Sequence, residues 1–376
     1  MNRIHVTERP DRAAKLESIG LSFHAWDDYW NEGVCYQFNA AQIDELEAAT
    51  NTLHDMCLVA VKHIIDNNRF AELHIPEEFW QPIAQSFAEN AFSIYGRFDL
   101  AYDGKSVPKM LEYNADTPTS LLESAVAQWY WLEDTHSKDD QFNSIHEKLV
   151  EQWKRIPADG FGKIYFASLK DNEEDWVCVH YLMETAIQAG FEVQHIYVED
   201  IGWNADNNTF VDLDNNVINV IFKLYPWEWM FKEEFGKNIL KSDTMFIEPL
   251  WKSLLSNKGI LPILWELFPN HPYLLPAYFA PDKLLSYAKK PFFSREGANI
   301  ELYKNNEKIA EDVGPYGAEG YIYQELYTLP VYEGNYPIIG SWVIGDTSSG
   351  ICIREDAVKI TTNLSHFIPH YFTNTI

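Results

Sequence analysis

Residues 163–198 read KIYFASLKDNEEDWVCVHYLMETAIQAGFEVQHIYV. Residues 163–169 form a short apolar run that reads as a strand, 175–189 read as a helix, Gly190 stops it, and 192–198 read as a second strand. Strand, helix and strand in that order make a βαβ unit, which implies a parallel sheet. A third apolar run, 217–222, follows and ends in Lys223.

The pattern changes on both sides of this unit. Residues 40–67 and 77–89 read as helices, with Leu46, Leu53, Met56, Cys57 and Val61 at helical spacing in the first. Residues 97–102 and 109–116 read as two strands joined through Asp103-Gly104, a hairpin turn signal. Thr117-Pro118-Thr119-Ser120 then opens a helix over 120–134, with Thr117 as its cap and Pro118 at its first position. Further on, 281–288 begins another helix, and strands are expected around 298–303, 321–327 and 338–343. A parallel unit set between α+β pieces predicts a fold that mixes α/β and α+β, with at least two packed sub-domains and a cleft between them.

Composition narrows the function. Of 376 residues, 46% are hydrophobic and 23% charged, which is globular usage. The charge is acidic, 29 Lys and Arg against 56 Asp and Glu for a formal −27, so no basic footprint exists for nucleic acid. A polyanionic ligand must therefore be held by a few locally placed cations. The longest charge-free apolar stretch, 267–281, is too short to span a bilayer and carries four prolines. Charges interrupt the first thirty residues, which excludes a signal peptide there. The four cysteines show no CxxC, so free buried thiols in a reducing cytoplasm are expected.

Side chains two apart on a strand share a face. Arg97 and Asp99 therefore share one face of the first hairpin strand, and Glu112, Asn114 and Asp116 one face of the second, while Phe98, Leu100 and Tyr102 face the other way. If the register aligns the polar faces, carboxylates, an amide oxygen and a guanidinium converge. Magnesium takes such hard oxygen ligands from one or two carboxylates together with substrate phosphates. The arginine would then stand where charge develops on a transferring phosphoryl group. The competing reading is a solvated hairpin face with a surface ion pair.

Two other cation positions stand out. Lys223 leaves a buried strand into the aromatic segment Tyr225-Pro226-Trp227-Glu228-Trp229, from which a lysine can reach a phosphate. The stretch 290–299, KPFFSREGAN, places Lys290, Arg295 and Gly297 on one loop between strands, where backbone N–H groups and two cations would cover a polyphosphate. A strand-ending lysine and a basic loop are also common without function. No GxxxxGK[ST] or GxGxxG is present, which excludes P-loop and Rossmann readings. His366 and His370 have zinc-like spacing, but Pro369 lies between them and no HExxH or CxxC accompanies them.

The order of RFDLAYDG, KMLEYNADTPTSLLES, FKLYPWEW, FIEPLWKSLLSNKGILPILWELFPNHPYLLPAYF, KKPFFSREGANIEL, GYIYQELYTLP and GICIRED resembles the synthetase domain of glutathionylspermidine synthases. It is still more similar to the stand-alone bacterial acid–amine ligases of that family, from about Thr7 onward. The resemblance implies an ATP-grasp fold with a pre-ATP-grasp βαβ domain. The expected division is 1–120 for N-terminal helices and the metal-binding hairpin, 121–215 for the pre-ATP-grasp-like domain, and 216–376 for the ATP-grasp nucleotide-binding domain.

The same resemblance implies roles. Arg97 looks like the transition-state arginine that also touches ATP; Asp99, Glu112 and Asn114 match the ligands of two magnesium ions, with Asp99 beside the nucleotide as well. Lys223 and Lys290 match phosphate lysines, Arg295-Glu296-Gly297 the mobile loop over the triphosphate, and Gln324, Glu325, Leu326 and Tyr327 the segment lining the adenine. Arg354 matches a catalytic arginine near the acid, and Asp116 and Thr119 match positions near a peptide substrate. The amidase half of bifunctional members is not expected here. Thr119 stands where glutathione users carry serine, and Glu173-Glu174-Asp175 matches the acidic glutathione contact only loosely. The resemblance therefore implies an ATP- and magnesium-dependent acid–amine ligase acting on small molecules in the cytoplasm, through an acyl phosphate. It leaves glutathione, spermidine and the oligomeric state open. An ATP-binding sensor or scaffold and a carboxylate kinase are the alternatives.

Overall fold

A computed structural model describes residues 1–157 and 162–373. Strands Lys163–Ser168 and Glu192–Tyr197 run parallel and flank helix Glu173–Gln188, so the βαβ unit is present. Asn172 caps that helix by accepting from the Asp175 N–H at 3.0 Å. Val220–Lys223 and Met245–Ile247 extend the sheet in parallel on the other side of Lys163–Ser168. The buried residues along these strands, such as Phe166 and Phe222, explain their near-continuous apolar sequence.

The antiparallel part forms two five-stranded sheets. One orders His366–Ile368, Thr347–Asp356, Tyr336–Ile344, Tyr95–Ala101 and Lys109–Asn114. Helix Ala40–Asp66, opened by a reciprocal Asn39–Gln42 capping box, lies against it. Thr50 and Ser341 join hydroxyls at 2.7 Å at that contact. The second sheet orders Ala277–Tyr278, Tyr321–Glu325, Tyr287–Pro291, Glu301–Lys304 and Glu307–Glu311. Mixed α/β architecture is thus as expected. Among the described residues, no helix is long and apolar enough to cross a membrane.

Two local expectations fail. Residues 281–288 do not form a helix: Pro281–Lys283 makes one short turn, and Tyr287–Pro291 is a central strand. Its neighbours on both sides supply the reason, because Tyr287 stacks on Tyr303 at 4.8 Å and Ala288 and Lys290 face inward. Cross-strand pairing overrides local propensity there. The helix after the hairpin also starts later than Thr117-Pro118 suggests. Ser120 takes a φ of +69°, a left-handed conformation that no helix interior accepts, and regular structure begins only after it. Thr117 accordingly caps nothing.

Candidate active site

The hairpin register decides whether the polar faces meet, and it aligns them. Arg97 stands opposite Asn114 and Asp99 opposite Glu112, with a bulge after Asp99. On the reverse face Phe98 and Tyr113 stack at 3.7 Å, which locks that register. The Arg97 guanidinium donates to Asp99 at 2.9 Å and to the Thr119 carbonyl at 2.9 Å, and it lies over Trp342. Gly340, opposite Asp99, makes this possible: a Cβ there would stand 2.5 Å from Cys352 Sγ and 3.0 Å from Arg97 Cδ. Burial opposes the charge on Arg97, and Asp99, Cys352 and Glu112 together more than offset it. Burial also raises the Asp99 carboxyl above its ordinary range, with Arg97 pulling the other way and Glu112 adding to the rise.

Asp99 and Glu112 open onto a cleft of about 420 Å³. Lys290, Gln324 and Gly297 line its charged part, and Leu111, Ala288, Leu302, Ile338 and Ile360 make an apolar wall. Glu325, Leu326 and Tyr327 continue along that wall. An apolar cleft of this size ending in cations and carboxylates has the character of a ligand site. Lys290 reaches it from its strand rather than from a loop, donating to the Leu111 carbonyl at 2.9 Å and to Gln324 Oε1 at 2.7 Å. Burial lowers the Lys290 ammonium to about 8. The Gln324 amide is committed to Lys290 and to the Met110 carbonyl, and the Glu325 and Leu326 N–H groups to Pro276 and Ser286 carbonyls.

The cation that the sequence reading missed is Lys258. Its ammonium lies 3.0 Å from Glu112 and donates to the Ser294 carbonyl at 2.6 Å. Burial would push Glu112 up, but Lys258, Lys290 and Arg97 together bring it below its ordinary value. Lys258 stands in Asn257-Lys258-Gly259, just before the apolar helix Ile260–Leu267, where an added Cβ at Gly259 would press on Phe292 at 2.9 Å. A glycine beside a lysine at a crowded helix start marks a fixed backbone position.

Lys223 is set elsewhere. It is 2% exposed, does not line the cleft, and binds Asp116 at 2.6 Å over the Trp227 ring. Asp116 also accepts from the Trp227 N–H at 2.9 Å, so the carboxylate expected near a substrate is fully engaged inside the protein. Burial lowers the Lys223 ammonium, against Asp116. Thr119 offers its carbonyl to Arg97 from irregular backbone before the helix, not from a helix start.

The loop after Phe293 lies over the cleft. Glu296, Gly297 and Asn299 all have positive φ, and a Cβ at Gly297 would strike the Thr361 carbonyl oxygen at 2.5 Å. Arg295 donates to the Thr117 hydroxyl and stands 3.6 Å from Glu228, drawing the loop toward the end of the hairpin. Arg354 spends one guanidinium nitrogen on the Thr362 and Asn363 carbonyls at 2.6 and 2.8 Å, while its buried Nε has no partner among the described residues. An acidic group adjoins it. Burial raises Glu123 and Asp175 each to about 7 and raises Glu296 as well, with Glu174 contributing to all three.

Three comparisons bear on this arrangement. The model of the family "Glutathionylspermidine synthase preATP-grasp" matches residues 3–373. A protein of Haemophilus influenzae named "Putative acid--amine ligase" is 44% identical, covering 97% of this chain and 97% of its own. The bifunctional glutathionylspermidine synthetase/amidase of Escherichia coli is 31% identical over 89% of this chain, which spans 58% of that longer protein. Among solved structures, a glutathione synthetase-like effector from Globodera pallida in its apo form superposes with a TM-score of 0.59 over 98% of both chains. At 10% identity that is a likeness of fold alone.

Proposed function

Since the chain belongs to the glutathionylspermidine synthase family of ATP-dependent carbon–nitrogen ligases, we propose that it is an ATP-grasp enzyme joining a carboxylic acid to an amine through an acyl phosphate. One observation carries the reading: the hairpin carboxylates Asp99 and Glu112 and the Lys290 ammonium line the charged end of a cleft whose other wall is apolar, and Lys258 pairs with Glu112 there. The adenine would lie along Leu326 and Tyr327, and the triphosphate would point at the two lysines. We assign the second phosphate lysine to Lys258 rather than Lys223, because Lys258 pairs with Glu112, a carboxylate that lines the cleft, whereas Lys223 pairs with Asp116, which does not.

The donor set fits magnesium. Asp99, Glu112 and Asn114 present hard oxygens on one hairpin face, although no cluster of three His, Cys, Asp or Glu occurs among the described residues. Magnesium does not require such a cage, because one or two carboxylates and substrate phosphates suffice. Held there by Asp99, Glu112 and Asn114, magnesium would neutralise charge on the nucleotide's phosphates. The chain's own residues do the rest. Arg97, held by Asp99 and Thr119, needs no reorganisation to meet charge on the transferring phosphoryl group. The loop at Gly297 excludes water, which would otherwise consume an acyl phosphate. Arg354 has an unused buried N–H for the acid or its phosphate. Glu174, Asp175 and Glu296 form an anionic patch suited to a cationic amine. Four buried free cysteines agree with a reducing, cytoplasmic setting.

The test is ADP release across a panel of acids and amines, with glutathione and spermidine as first candidates. Release that needs both acid and amine supports the ligase. Release with acid alone, without amine, makes the protein a carboxylate kinase, and binding without turnover makes it a sensor.

A further inference from the structure

An amine at neutral pH arrives as an ammonium and cannot attack an acyl carbon until it loses a proton. The groups around the phosphate end are unsuited to take it. Arg97, Lys258 and Lys290 are cations, and Asp99 and Glu112 are each held by one of them.

The chain on the far side of Arg97 is built differently. Thr119, whose carbonyl receives Arg97, is followed by buried Ser120 in its left-handed conformation. The helix that starts there widens at once into a π-helical turn, Glu123–Ala127. Such turns are rare and recur at functional sites. Glu123, one turn beyond Thr119, is 2% exposed, and Tyr29 donates its hydroxyl to Glu123 Oε1 at 2.5 Å. The same hydroxyl stands 3.4 Å from Ser120 Oγ. The ionisable groups that face Glu123 are Tyr29, Arg354 from strand Thr347–Asp356, and Glu174 and Cys178 from helix Glu173–Gln188. Glu123 thus stands one turn beyond the carbonyl that holds Arg97, within the influence of Arg354 and of Glu174 from the anionic patch.

We propose that Glu123 is the general base that takes a proton from the attacking ammonium, with Tyr29 as its positioning residue. This rests on the ligase reading above. The ammonium gives one N–H proton to the Glu123 carboxylate. The freed nitrogen lone pair forms the C–N bond to the acyl carbon, and the C–O bond to phosphate breaks with its electron pair on the departing oxygen. The nitrogen's second proton leaves with that phosphate, and Glu123 returns its own to solvent. The sum is acyl phosphate plus ammonium giving amide, hydrogen phosphate and one proton. Burial holds the Glu123 carboxyl at about 7, with Tyr29 and Arg354 opposing the rise and Glu174 adding to it. A group so poised both accepts and releases a proton at neutral pH. Asp175 is similarly raised but partly exposed, and among the described residues no tyrosine orients it.

Hydroxylamine provides the test, because it is largely unprotonated at neutral pH and needs no base. Wild type, Glu123→Gln, Glu123→Asp and Tyr29→Phe are assayed with Mg-ATP and the acid selected by the panel, glutathione first. One arm uses spermidine and the other hydroxylamine. E123Q is expected to lose amide formation with spermidine by about 10²–10⁴-fold while its hydroxamate yield stays near wild type. E123D and Y29F should fall between, again only in the spermidine arm. The wild-type kcat with spermidine should decline as pH falls through about 7, and that limb should vanish in E123Q. Unchanged spermidine turnover in E123Q, or equal losses in both arms, overturns the assignment. A wild-type protein that forms no hydroxamate with any acid of the panel overturns the ligase reading, and this inference with it.

Discussion

Lys258 and Glu112 meet at 3.0 Å although one precedes a helix and the other lies on the hairpin. The second contact of the ammonium, to the Ser294 carbonyl at 2.6 Å, ties the pair to the root of the loop over the cleft. One lysine thus joins the carboxylate face, the phosphate end and the covering loop. Replacing it should affect nucleotide binding more than folding.

Lys258→Met should raise the KM for ATP by roughly 10- to 100-fold, the scale of one charge-assisted hydrogen bond of about 1.5–3 kcal/mol. Thermal stabilisation by Mg-ATP should shrink in parallel. An unchanged KM would remove Lys258 from the phosphate site.

Lys223→Met should do the opposite. Both partners of the Lys223–Asp116 pair are buried, with side-chain exposures of 3% and 0%. Removing one leaves a buried carboxylate uncompensated, which costs about 3–5 kcal/mol. Denaturant midpoints should fall sharply, while folded molecules keep their ATP affinity. Weakened ATP binding without destabilisation would return Lys223 to the nucleotide.

Lys290 gives a pH dependence with opposite signs for folding and binding. Its folded value, about 8, is below the ordinary 10.5. Between those values the unfolded chain holds the proton and the native one does not, so this group's contribution to stability rises with pH across that window. ATP needs the ammonium, so affinity should fall as pH rises through about 8. A tenfold loss is expected about one unit above that value. Lys290→Arg keeps its charge and should flatten the profile in a titration calorimeter. A flat wild-type profile would show that the ammonium is not at the phosphates.

These contrasts also show what the sequence made legible. Period and turn signals located the strands at 163–168 and 192–197, and two-residue alternation brought Arg97, Asp99, Glu112 and Asn114 to one face. Those are local properties. The setting of Lys223 is not local, because a lysine at a strand end carries no information about a carboxylate 107 positions earlier. Lys258 was hidden for the same reason, inside a segment whose apolar periodicity dominates its reading. The failed helix at 281–288 shows a third cause. Ala288 and Lys290 favour helix locally, Tyr287 favours strand, and the strands on both sides decide their conformation. The start of the helix past Thr117 failed on one backbone angle, the +69° at Ser120.

Arg97 and Asp99 separate an active site from a structural ion pair. Their contact is 2.9 Å, with side-chain exposures of 10% and 21%. Asp99→Asn keeps the volume and a hydrogen-bond acceptor for Arg97, but removes one negative charge from the hairpin face. If that face binds magnesium, the activating concentration should rise, and excess magnesium should restore part of the rate. Arg97→Ala has a different signature. The carboxylates, Lys258 and Lys290 remain, so nucleotide and metal should still bind. Turnover should nevertheless fall by about 10³-fold or more, as when a phosphoryl-stabilising arginine is lost. A merely structural pair predicts neither result. It predicts a stability change that a melt would register, with the rate per folded molecule unaltered and no dependence on magnesium. Folded fraction, magnesium activation and kcat measured on both variants distinguish the two. Wild-type kcat and magnesium dependence in both would rule out the hairpin as the site of phosphoryl transfer.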